Sequence, residues 1–242
     1  MPREKATRNK TNPLDTCLSQ SITVSEIGID EAGKGPMFGR VYTGAVCLPK
    51  DPETFDHSKM KDSKRFHSKK KILEAANYIK DNAIAWAVEY STETDIDSIN
   101  IRQATFQAMH RAARSVMEQV STGIDSITLL VDGNDFKPIQ QYDVKTTSMQ
   151  TIPFVCIEGG DNKYTAIAAA SILAKVSRDA YIESLVEDYP LLDTWYGIKG
   201  NKGYGTAAHM EGIRTHGITQ WHRRTYGICR EHTPVVMEKQ TS

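Results

Sequence analysis

Asp30 and Glu31 stand side by side at the end of an apolar run, in 25-SEIGIDEAGKGPMFGRVYTGAVCLP-49. Carboxylates are hard oxygen ligands suited to magnesium or manganese. The same stretch reads Gly28-x-x-x-x-Gly33-Lys34, the outline of a phosphate-binding P-loop. A P-loop also needs a helix directly after it and Ser or Thr after the lysine. Here Gly35 and Pro36 follow, and a β-rich segment begins near residue 41. The two acids would also put negative charge where backbone N–H groups should receive phosphate. The P-loop outline is therefore an accident of composition. Taken alone, Asp-Glu is a charged turn leaving a strand. Adjacent strand residues point to opposite faces, but Gly33 and Gly35 give the chain freedom to bend both acids to one side.

Two further acids change that balance. Asp132 ends the apolar run SITLLVD and precedes Gly133, which alone reads as an Asp-Gly turn. Asp161 lies in GGDNKY between an apolar run and a long helical pattern, which alone reads as a helix N-cap. All four acids fall at strand ends or a helix start, where loops carry function. Four clustered carboxylates would repel one another unless cations joined them. Two divalent ions would relieve the repulsion and could drive phosphoryl transfer.

The elements that must position these acids follow from periodicity. Apolar runs at 26–32 and 41–48 read as strands joined by a Gly/Pro-rich turn, a hairpin-like start. Residues 57–71 form a basic loop running into a helix to about Lys80, and 83–90 is a third strand. Residues 96–120 space Ile99, Phe106, Met109 and Val116 like one helix face. Strands follow at 126–132 and 152–158. A long helix runs from about Asn162 to Asp188, stopped by Pro190, and a shorter one from Thr206 to His216. This order predicts an α/β fold with a five-stranded mixed sheet flanked by helices and a helical C-terminal part. Residues 1–24 read as a flexible polar tail, 25–230 as one catalytic domain and 231–242 as a loose C-terminal tail.

Composition bounds the rest. The 242 residues suit one domain, and a formal net charge of zero gives no global pull toward an anionic partner. The four cysteines are far apart with no C-x-x-C, which argues against a zinc site or a disulfide framework. His209, His216 and His222 do not make a compact zinc site by spacing. No apolar run reaches membrane-span length and no secretory signal is apparent, so an intracellular, cytoplasmic protein is expected.

With these motifs in view, IGIDEAGKGPMFGRV resembles the N-terminal signature of ribonuclease HII, the type 2 ribonuclease H. KDSKRF (61–66), VDGN (131–134), GGDNKYTAIAAASILAKVSRD (159–179), KGYGTAAH (202–209) and HGITQWHRRTY (216–226) resemble the family's later motifs, in order. The resemblance implies a ribonuclease-H-like fold and endonucleolytic cleavage of RNA in RNA–DNA hybrids, including at single ribonucleotides embedded in duplex DNA. It implies Asp30, Glu31, Asp132 and Asp161 as ligands of two Mn2+ or Mg2+ ions, with 5′-phosphate and 3′-hydroxyl products. It also implies that Gly33, Lys34, Gly35 and Tyr204 read the 2′-hydroxyl, and that Lys64 contacts phosphate. Arg65 is a second candidate for a phosphate contact, and Asn100, Thr105 and Arg178 are weaker candidates for the substrate groove. Asp179, in the Ser-Arg-Asp stretch, reads as a charge on the helix surface. A monomer is expected.

Two departures stand out. Lys34 replaces the commoner arginine, which preserves backbone readout but not a bidentate contact. Gln220 stands where the family often has proline, which questions the rigidity of the final loop. A junction resolvase would share the acids but needs no 2′-hydroxyl reader, and a non-catalytic binding module would not need all four. The short tail favours the HII type over the HIII type, whose members usually carry an extra N-terminal domain.

Overall fold

The computed structural model describes residues 13–120 and 123–239. Its centre is a five-stranded sheet of β1 (Ser25–Ala32), β2 (Val41–Cys47), β3 (Ala85–Ser91), β4 (Ile127–Asp132) and β7 (Phe154–Ile157). The order is β3-β2-β1-β4-β7. β1, β2 and β3 pair antiparallel, whereas β4 runs parallel to both β1 and β7. The sheet is therefore mixed and five-stranded, as the spacing predicts.

Each face of the sheet takes its own helix. Ile27 and Ile29 of β1 and Ala45 and Cys47 of β2 pack with Phe106, Met109 and Val116 of α2 (Glu93–Val120). The opposite face carries Gly28, Asp30, Gly44 and Val46, and receives the alanine-rich α3 (Thr165–Asp188). α1 (Lys69–Asn82) covers α3, with Ser68 capping its first turn by accepting from the Lys71 N–H. The small residues let α3 lie on the sheet backbone to backbone. A Cβ on Gly28 would fall 2.2 Å from the Ala166 carbonyl carbon, and one on Gly44 would fall 2.3 Å from the Ala170 oxygen.

Some elements differ from expectation. α2 kinks at Asn100, whose φ of 66° and ψ of 161° are not helical. The kink moves Ile99 off the face shared by Phe106, Met109 and Val116 and into a small cluster with Val41, Ile96 and Ala104. An additional antiparallel hairpin, β5 (Gln140–Asp143) with β6 (Ser148–Thr151), stands beside the main sheet. Past α3, the helices α4 (Leu191–Tyr196), α5 (Ile198–Asn201) and α6 (Ala207–His216) build a further apolar cluster with Met37 and Phe38.

The terminal segments are fastened where the structure describes them. Asp15 bridges to the start of α3 through Lys163 and Thr165 backbone bonds, and Glu26 accepts the N–H groups of Leu18 and Ser19. The expectation of a flexible tail gives way over 13–24, because a buried carboxylate recruits that backbone; residues 1–12 lie outside the described part. At the other end β8 (Ile218–Thr219) pairs with β9 (Pro234–Val235). Gln220 gives and takes a hydrogen bond with the Met237 backbone at 3.3 and 3.0 Å. Gln220 thus clasps the Met237 backbone to the turn after β8.

Candidate active site

β1 and β4 are parallel neighbours, so their C-terminal ends, and with them Asp30, Glu31 and Asp132, emerge together. The three acids line one open cleft of about 440 Å³ with Gly33, Lys34, Gly35, Lys64 and Tyr204. Asp161 sits beside it in the turn Gly160–Asn162 before α3, close enough to Asp132 and Lys64 to interact electrostatically. Asp132 also ties this turn down, accepting the Gly160 N–H at 2.7 Å. α3 has no side-chain N-cap, so the capping role open to Asp161 in the sequence is not the one it plays.

The cleft stores electrostatic tension. Burial, reinforced by Glu31 and Asp132, holds the Asp30 carboxyl well above the usual carboxylate range, although bonds from the Ser171 hydroxyl and the Glu31 N–H oppose this. Asp161 is raised by burial and by Asp62 and Asp132, with Lys64 pulling the other way. Burial would lower the Lys64 ammonium, but Asp161, Asp62, Asp30 and Asp132 outweigh it and raise it. Lys34 reaches back to Glu31 at 2.8 Å. The other Glu31 oxygen, Oε2, is buried with no hydrogen-bond partner. Among the described residues no three of the acids already converge on one ion's shell. Even so, the all-oxygen donor set, the raised carboxyls and the orphaned Glu31 oxygen fit hard divalent cations.

Several residues take parts that the sequence does not disclose. Ser171, the lone polar residue in an alanine run, reaches Asp30 and lies 3.0 Å from the Ser63 hydroxyl. Asp179 lines the cleft and pairs with Lys175 at 3.0 Å, so it is more than a surface charge. Arg178 lines the cleft but is only 3% exposed, and it donates to the carbonyls of Arg40, Phe38 and Lys202, so it staples the cleft floor. Its guanidinium also explains Gly33, where a Cβ would fall 2.3 Å from Arg178 Nε and the φ is +97°. Asn100 lies outside the cleft and caps the second half of α2 by accepting the Gln103 N–H at 3.1 Å. Thr105 is fully buried, bonded to the Ile101 carbonyl. Thr105 is therefore closed to substrate, whereas Asn100 is exposed away from the cleft.

A mixed five-stranded sheet with acids at the ends of two parallel central strands defines a ribonuclease-H-like α/β scaffold. The crystal structure of ribonuclease H2 from Pyrococcus horikoshii superposes with a TM-score of 0.61 at 23% identity, covering 86% of this chain and 96% of that one. A Bst-RNase HIII solved with Mn2+ gives a TM-score of 0.56 at 18% identity over 81% of this chain and 63% of its own. The sequence carries the resolution further. The sequence model of ribonuclease HII matches residues 27–229. The ribonuclease HII of Parabacteroides distasonis is 43% identical over 206 residues, 85% of this chain and 92% of its own length. The chain belongs to the ribonuclease HII family. It is a ribonuclease H, a hydrolase acting on the RNA of RNA–DNA hybrids, and the family uses divalent metal ions.

Proposed function

We propose that this ribonuclease H also cuts at a single ribonucleotide embedded in duplex DNA, by two-metal-ion hydrolysis that leaves 5′-phosphate and 3′-hydroxyl ends. One observation carries the reading. The Gly33–Gly35 loop and Tyr204 meet over the acid-lined cleft, and a Cβ on Gly35 would fall 3.5 Å from the Tyr204 ring. The two elements that the family resemblance assigns to the 2′-hydroxyl therefore share one cleft with the carboxylates. Only that hydroxyl distinguishes RNA from DNA at a given site.

Asp30, Glu31, Asp132 and Asp161 would hold two Mg2+ or Mn2+ ions, which when bound supply an activated water and charge neutralisation at the scissile phosphate. The protein residues do the rest. Ser171 and the Glu31 N–H orient Asp30, and the Gly160 N–H orients Asp132. Lys64, exposed at the rim, is placed to meet a phosphate. The backbone of Gly33, Lys34 and Gly35 and the half-exposed Tyr204 close on the sugar. The cysteines are all free, which fits a reducing compartment such as the cytoplasm.

The test uses a DNA duplex with one ribonucleotide, an all-DNA duplex and a long hybrid, each with Mg2+ or Mn2+. The expected result is a cut on the 5′ side of the ribonucleotide, abolished by EDTA and reduced by roughly 100-fold or more in Asp132→Asn. Cleavage of the hybrid alone would refute the single-ribonucleotide reading. Unchanged cleavage by Asp132→Asn would refute the assignment of the acids.

A further inference from the structure

Two histidines from the closing motifs meet inside the protein. His209 on α6 and His222 after β8 are buried, with their Nε2 atoms 3.1 Å apart. Their outer nitrogens decide which one donates. His209 Nδ1 lies 2.9 Å from the Tyr204 carbonyl, which can only accept, so Nδ1 carries the proton. His209 Nε2 is then the acceptor, and His222 Nε2–H donates to it. His222 Nδ1 is left to accept the Thr219 N–H at 2.9 Å. The bonds run in one direction through two neutral rings, a tautomer assignment fixed by the partners.

The connection continues into the next residue. Arg223 is fully buried and donates from Nε to Gly39, from Nη1 to Lys34 and from Nη2 to Gly33, at 2.9, 2.9 and 2.6 Å. Its N–H binds the Met37 carbonyl, and Phe38 bridges antiparallel to His222. A continuous line of bonds thus runs from the Tyr204 backbone through His209, His222 and Arg223 to the carbonyls of Gly33 and Lys34.

We propose that His209, His222 and Arg223 form a positioning relay that fixes the separation of Tyr204 from the Gly33–Gly35 loop, and so sets selectivity for a lone ribonucleotide. The proposal rests on the reading of those two elements as the 2′-hydroxyl reader. The three residues are buried, so they act through the reader and not on the substrate. Selectivity is where a loosened reader shows. In a long hybrid every RNA nucleotide offers a 2′-hydroxyl, so an imprecise reader still finds one in some register. A duplex with one ribonucleotide offers a single register.

Matched amide substitutions separate this role from general stability. His222→Asn keeps an acceptor for the Thr219 N–H but is too short to reach His209. His222→Gln keeps a donor toward His209 and gives up Thr219. His209→Asn keeps the donor to Tyr204 and gives up His222. Values of kcat and KM on the single-ribonucleotide duplex and on a long hybrid are compared, below each variant's melting temperature. The expected result is a loss of about 10- to 100-fold in kcat on the single-ribonucleotide duplex for both Asn variants, with a much smaller loss on the hybrid. KM stays near wild type, and His222→Gln retains the wild-type ratio of the two substrates. Equal losses on both substrates, following the melting temperatures of all three variants, would overturn the relay. Wild-type cleavage of the hybrid but not of the single-ribonucleotide duplex would overturn the underlying reader assignment, and the relay with it.

Discussion

Substituting Gly28 by alanine tests how closely helix packing and the acid site are joined. The new Cβ would meet the Ala166 carbonyl carbon at 2.2 Å, its oxygen at 2.3 Å and the Ile167 nitrogen at 2.4 Å. Ordinary contact begins near 3.4 Å, so α3 and β1 must separate by about 1.2 Å. No side chain can rotate to absorb this, because the atoms met are backbone. Overpacking of a core costs about 1–3 kcal/mol, and a rigid neighbour puts Gly28→Ala at the upper end. For a chain of this size about 3 kcal/mol lowers the melting temperature by roughly 6–12 °C. The same displacement carries Ser171 away from Asp30, and a misplacement of about 1 Å can cost up to about 100-fold in rate. The assay is thermal unfolding by circular dichroism beside steady-state cleavage of a long hybrid with Mn2+. Melting temperature and kcat are expected to fall together, with KM near wild type because Lys64 and Tyr204 stand on other segments. A melting temperature within about 1 °C of wild type, with unchanged kcat, would refute the backbone-to-backbone packing of α3 on the sheet.

Two further outcomes follow from the buried cations and imidazoles. Arg178→Met leaves the Phe38 and Lys202 carbonyls without their guanidinium, at about 1–3 kcal/mol for each orphaned group. The melting temperature should fall while KM for the hybrid stays near wild type; a large rise in KM with stability intact would show that Arg178 acts on substrate and not as a staple. Burial holds His209 below its ordinary value, and burial with the neighbouring His209 pushes His222 down to about 3. Between pH 6.5 and the folded values the unfolded chain therefore binds protons that the native state refuses. Stability is full above pH 6.5 and is lost as pH falls, by up to about 1.4 kcal/mol per pH unit for each histidine. Urea midpoints at about pH 7.5 and about pH 5 should show the decline, and His222→Gln should lessen it. An equal decline in both proteins would remove His222 from the explanation.

The sequence discloses the acids because Asp30, Glu31 and Asp132 stand at the ends of apolar runs, which parallel pairing of β1 with β4 brings together, and Asp161 stands in the turn before a long helix. It discloses the main sheet and long helices for the same reason, since periodicity reports which side is buried. It hides what periodicity does not encode. Asn100 breaks α2 through a backbone angle while the apolar spacing continues on both sides. The β5–β6 hairpin is built from polar residues such as Gln140, Gln141 and Gln150, with no buried stripe to mark it. Nothing in their spacing marks Arg178 and Arg223 as buried, yet both are, because carbonyls of the Gly33–Arg40 loop receive their donors. Ser171 is one hydroxyl among alanines, and only the close approach permitted by Gly28 and Gly44 gives it a carboxylate to meet.

The contact between Lys34 and Glu31 has a consequence for how the cleft fills. Glu31 Oε1 is already held by an ammonium whose side chain is 47% exposed at the mouth. A divalent ion met by the free Glu31 Oε2 would compete with the Lys34 ammonium for the same carboxylate. Lys34, once released, is free to stand against the phosphates of an arriving strand. Cation uptake and polyanion docking thereby become linked equilibria. Whatever factor the cation adds to the grip on the strand, the strand adds to the grip on the cation. A nuclease built this way holds its metal most firmly when there is something to cut.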